Sequence, residues 1–193
     1  MNLPAPVPHP IFLDMDGVVA NFFEGVARLF GLSSDELPLG EYDMTKVLGV
    51  PFERIHDKIC SYSLFWHLLP KYSWSDDLMK LFDFSSTGSA FILSHPWPGD
   101  TNCCGGKLDW LRYHYEVPPN RVIFTSHKYL LAAPGRLLVD DRVDECLRWR
   151  ELGGRACEFP AHHNQVRSVF GDGPVALVRA SLGTFRLLNP NPP

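Results

Sequence analysis

Ile11-Phe12-Leu13-Asp14-Met15-Asp16-Gly17-Val18, IFLDMDGV, is the stretch on which the reading of the whole chain turns. Three apolar residues make a short buried strand, and two carboxylates follow at once. An Asp-Gly pair marks turns, which accounts for Asp16 and Gly17. It does not account for Asp14, two residues earlier and on the same side of an extended chain. The partners of these acids must come from elsewhere in the sequence.

Four further apolar runs, Ala90–Leu93, Val122–Phe124, Leu137–Val139 and Arg155–Phe159, read as strands. Helical patterns over Asn21–Phe30, Lys107–Tyr115 and Arg142–Leu152 alternate with them. Short apolar strands alternating with helices predict an α/β fold, a parallel sheet covered on both faces. Polar residues follow three of the strands directly: Asp14 and Asp16, then Ser94 and His95, then Asp140 and Asp141. In such sheets the ligand crevice lies beyond the carboxyl ends of the strands, so these groups converge.

Asp16 and Ser94 are 78 residues apart, whereas a βαβ unit takes about 30. The surplus predicts a helical insertion over residues 33–85, a cap above the carboxylates. Residues 1–32 and 86–193 then form the core.

The 193 residues suffice for such a domain, and 45% hydrophobic with 21% charged content is ordinary for a globular chain. A net charge of −4 without basic stripes excludes a nucleic-acid polymer as the expected partner. Five cysteines, odd in number and without a CxxC pair, argue against a disulfide framework and for a reduced cytoplasmic setting. No apolar run reaches 18 residues, so no membrane span is expected. The proline-bearing start reads as an extended lead-in, the end LLNPNPP as a frayed tail, and His127 and His162-His163 as surface or loop histidines. The sequence is compatible with a homodimer.

Asp14, Asp16, Asp140 and Asp141 gathered at one crevice would repel one another unless a cation sits among them. Oxygen ligands without His or Cys favour Mg²⁺. With Ser94, His95 and Lys128 beside it, the site would cradle a phosphoryl group. Asp14 is the expected nucleophile, forming an aspartyl-phosphate, and Asp16 the expected general acid and base.

These residues, in this order, resemble the haloacid dehalogenase superfamily of phosphotransferases. Its motifs read here as DMDGV, ILSHP, Lys128 and LVDDR, spread over residues 11–160. The resemblance implies a Rossmann-like core with a cap, and an acid at position 16 implies a phosphatase. The start DMDGVVANF is similar to that of the 5'(3')-deoxyribonucleotidase branch, which implies nucleoside monophosphates, deoxypyrimidine ones above all, as substrates. It also implies a base-stacking role for Phe22, with Phe65 or Trp66 limiting the size of the base. The chain departs from that branch at Asn21, where the branch has Asp, and at His95, where it has Ser. Another small phosphometabolite, such as a phosphosugar, is the alternative substrate. A receiver-type signalling module also uses acids, a hydroxyl and a lysine, but it phosphorylates a later Asp and has no intervening cap.

Overall fold

The computed structural model describes residues 9–33, 38, 40–161, 164 and 173–189. The expected lead-in, His162-His163 and the last four residues lie outside them.

All five apolar runs form strands: β1 (Ile11–Leu13), β2 (Ala90–Ser94), β3 (Val122–Phe124), β4 (Leu137–Asp140) and β5 (Arg155–Glu158). They make one sheet in the order β3-β2-β1-β4-β5, every pairing parallel. The chain builds outward from β1 on one side and then returns to build the other. The topological switch, where such sheets open a crevice, therefore lies at the carboxyl end of β1. The architecture is Rossmann-like α/β.

Register explains the convergence of the acids. Leu13 pairs with Val139, so the next residues, Asp14 and Asp140, lie side by side as the two strands end. Asp14 N–H still donates to Val139 O at 2.9 Å.

Helix α1 (Phe22–Leu29) starts where the side chain of Asn21 accepts from Glu24 N–H at 3.1 Å. This is an ordinary N-cap, and it fixes Phe22 as the first helical residue. Between α1 and β2 the chain forms α2 (Met44–Leu48), α3 (Phe52–Ser61), a 3₁₀ turn at Trp66–Leu68 and α4 (Ser75–Met79). Ile55, Ile59, Trp66 and Leu78 of this segment belong to the same apolar cluster as Ile11, Leu13 and Ile92 of the sheet. The segment is thus anchored to the sheet through a shared core.

Two helices differ from expectation. Helix α5 (Cys103–Tyr115) begins four residues before Lys107 and so places Lys107 inside it. Beyond α6 (Val143–Glu151), the chain forms α7 (Pro174–Leu188), which the sequence reading did not anticipate. Proline suits its first turn, and Val178, Leu182 and Phe185 bury one stripe against the core. Leu187 and Leu188, read as part of a frayed tail, complete this helix.

Candidate active site

The site begins with Asp14, which leaves β1 fully buried and accepts from its neighbour Met15 N–H at 2.8 Å. Gly17 then turns the chain at φ +82°. A β-carbon at this position would sit 2.0 Å from Asp141 Oδ2, so only glycine lets the turn lie against the second acid of the DD pair. Residues 18–20 are held in place from the insertion: Trp74 Nε1 donates to Val18 O at 2.9 Å and Ser75 Oγ to Val19 O at 2.7 Å.

Asp14, Asp140 and Asp141 bring carboxylate oxygens within 4.8 Å of one another, all three residues buried. Lys128, in the 3₁₀ turn Lys128–Leu131 after β3, places its ammonium 2.8 Å from Asp14 Oδ1 and 2.7 Å from Asp140 Oδ2. Burial works against the Lys128 charge, but these two carboxylates outweigh it and hold its pKa above the usual lysine value. The carboxyls of Asp14 and Asp141 are held well above theirs, chiefly by burial and then by the neighbouring acids, with Lys128 opposing. Asp14 and Asp140 share the Lys128 ammonium with Asp141 beside them, and the oxygens of these three acids are the donors a hard divalent cation takes. The residues present fit Mg²⁺.

Asp16 stands beside this three-acid group rather than in it. Its carboxylate contacts Lys107 directly, and Ser94 Oγ donates to it at 3.3 Å. Lys107 is a site residue that the sequence reading missed. Its ammonium also donates to Ser94 Oγ at 2.9 Å and to His95 O at 2.6 Å, and it lies 4.7 Å from the Trp66 ring centroid. The signal was present: Cys103, Gly106, Lys107, Trp110 and Leu111 are the buried residues of α5, spaced as one helix face. A lysine on that stripe had to meet an acid.

Asn164 was also missed. Its side-chain amide donates to Asp141 O at 2.9 Å and to Phe159 O at 2.7 Å, tying the DD loop to the chain after β5.

Asp14, Asp16, His95, Lys128 and Asp141 line one cavity of about 70 Å³, closed on its other side by Phe22, Phe23, Tyr42 and Arg142. Ser94 is fully buried behind it. Phe22 reaches this cavity as expected. Phe65 and Trp66 do not: they pack behind it, Trp66 stacked on Phe22 at 5.9 Å between centroids and Phe65 edge-on at 6.0 Å. Both are buried in the core, so Tyr42 and Phe23 take the wall positions the sequence reading gave them. His127 stands outside this cavity.

No family model and no curated protein matches the chain. Solved structures do. A haloacid dehalogenase-like hydrolase of Streptococcus pneumoniae aligns with a TM-score of 0.51 at 13% identity, over 91% of this chain and 99% of that one. A HAD family hydrolase of Deinococcus radiodurans, solved with bound phosphate and sodium, gives 0.51 at 15%, over 94% and 97%. A hydrolase of Pseudomonas syringae gives 0.51 at 12%, over 91% and 98%. At such identities the likeness is one of fold.

Proposed function

We propose that the protein is a Mg²⁺-dependent phosphomonoesterase that works through an aspartyl-phosphate and acts on nucleoside monophosphates, deoxypyrimidine 5'- or 3'-phosphates above all. The observation that carries the reaction is the division of the site into two sets. Asp14 shares Lys128 with Asp140, while Asp16, two residues on, is held by Lys107 and Ser94. Two carboxylates at one crevice with separate partners can take separate roles.

In this mechanism Asp14 attacks phosphorus in line with the leaving oxygen, and the P–O bond to the alcohol breaks. Asp16 delivers its proton to that oxygen, then takes one from the water that hydrolyses the acyl-phosphate. Lys128 and His95 face the phosphoryl oxygens, and Ser94 and Lys107 hold Asp16 in position between its two proton transfers. Asp14, Asp140 and Asp141 would hold Mg²⁺, which would supply the positive charge that an anionic nucleophile needs to approach an anionic ester.

The nucleotide reading is supported by Phe22, an aromatic ring at the wall of the cavity that holds Asp14; stacking of a base on one aromatic contributes about 1–3 kcal/mol. A second reading, a smaller phosphometabolite, is favoured by the cavity itself. Its volume of about 70 Å³ falls well below the roughly 300–1,000 Å³ of common ligand pockets, so a nucleoside needs the wall at Tyr42 to open.

Phosphate release from a panel of monophosphates with Mg²⁺ tests both. Nucleotide specificity requires deoxypyrimidine monophosphates to lead in kcat/KM and Phe22→Ala to lower that value by about tenfold or more, with p-nitrophenyl phosphate little affected. Equal losses on both substrates, or a phosphosugar at the head of the panel, would favour the second reading. EDTA must abolish turnover of every substrate, and Ca²⁺, with longer bonds and more ligands, must inhibit.

A further inference from the structure

His95 follows the buried Ser94 and lines the cavity with Asp14, Asp16 and Lys128. Its ring has a partner that no motif contains: Nε2 lies 3.3 Å from Oε1 of Glu145, in the first turn of α6. The approach is off-line. Neither His95 Nε2 nor Glu145 Oε2 has a hydrogen bond among the described residues, although both are buried.

Glu145 has no place in the cavity wall, yet its side chain is only 11% exposed. A buried carboxylate needs a cation. Burial pushes its carboxyl up, but His95, Lys128 and Arg142 more than offset that and hold it below the usual value. Arg142 lies 3.9 Å from the same oxygen but is committed to Asp144 through two hydrogen bonds, at 3.1 and 2.5 Å. His95, at 3.3 Å, is the nearer of the two cationic partners. Its backbone is fixed as well, since Lys107 donates to His95 O. The imidazole therefore lies between Glu145 and the cavity that it lines.

We propose that Glu145 is a positioning residue for His95, and that the pair forms a phosphate-recognition dyad joining the loop after β2 to α6. With Nε2 beside Glu145, the ring offers an N–H on its other nitrogen to an oxygen of a phosphomonoester or of free phosphate. This rests on the phosphatase reading above.

The test uses the full chain with His95→Ser, Glu145→Gln and the double variant. It reads kinetics on p-nitrophenyl phosphate and equilibrium binding of inorganic phosphate by calorimetry. Each single variant should weaken phosphate binding and raise KM by about tenfold, with kcat changing less. The double variant should be no worse than His95→Ser alone, because Glu145 acts through the ring. Unchanged phosphate affinity in Glu145→Gln, or losses that add in the double variant, would overturn the proposal. So would a wild type that binds no phosphate. A wild type that binds phosphate but hydrolyses no ester would sink the phosphatase reading alone and leave the binding measurements to decide. Should Glu145→Gln fail to fold, Glu145→Asp, which keeps the charge at shorter reach, must show the same loss of affinity.

Discussion

Replacing Lys128 by methionine removes the ammonium in contact with Asp14 and Asp140 while keeping most of the side-chain volume. The lysine is buried and sits 2.8 and 2.7 Å from the two acids. Stripping one partner from a buried ion pair costs about 3–5 kcal/mol. The repulsion it exposes is of that order, since two ionised carboxylates with oxygens within 4.8 Å of each other oppose each other by about 3 kcal/mol or more at an effective dielectric near 20. A domain of this length shifts by roughly 2–4 °C per kcal/mol, so Lys128→Met should melt about 6–20 °C below the wild type at pH 7.5 without metal. Two dependences separate this cause from a packing defect. At pH 5 the acids protonate more readily and the deficit should shrink. Saturating Mg²⁺ should raise the melting temperature of the variant more than that of the wild type, because the metal replaces the missing charge. The measurement is circular dichroism or calorimetry across pH, with and without Mg²⁺. A deficit under about 3 °C, or one that neither pH nor Mg²⁺ alters, would refute the electrostatic reasoning.

Three more outcomes are expected. Asp14→Asn should lower turnover by about a thousandfold or more, measured as phosphate release; retention of a tenth of wild-type activity would remove Asp14 as nucleophile. Gly17→Ala places a left-handed residue against Asp141, at a backbone cost of about 1–2 kcal/mol, and should raise the Mg²⁺ concentration needed for half-maximal activity; an unchanged requirement would mean that Asp141 moves freely. Because burial raises the folded-state pKa of Asp14 and Asp141, their contribution to stability is fully present below the unfolded value of about 4 and is lost as pH rises through the folded ones. Metal-free wild type should therefore lose stability with rising pH relative to an Asp14→Asn/Asp141→Asn variant, read from urea midpoints, and parallel curves would contradict this.

Lys107 and Asp16 show where the sequence could be read and where it could not. The sheet, its parallel sense and the convergence of Asp14, Ser94 and Asp140 were legible because strand period and strand ends are local properties. The direction of a side chain at the crevice is not local. Asp16 shares a strand side with Asp14 in the sequence, but in the fold its carboxylate meets Lys107 and Ser94 rather than the group of Asp14, Asp140 and Asp141. Lys107 then decides the direction, and Lys107 reaches the site only because α5 approaches the insertion closely. A β-carbon on Gly106 would meet Trp66 Cβ at 2.6 Å, so glycine is what allows that approach. The same contact sets Lys107 over the Trp66 ring, and Trp66 in turn stacks on Phe22. Asp16, Lys107, Trp66 and Phe22 thus form one packed chain. Any effect of a change at Phe22 on Asp16 has to pass through three contacts, which is why the Phe22→Ala experiment needs a baseless ester as its control. If kcat for that ester falls together with the nucleotide rate, the aromatic chain supports the acid, and base stacking cannot be credited with the loss.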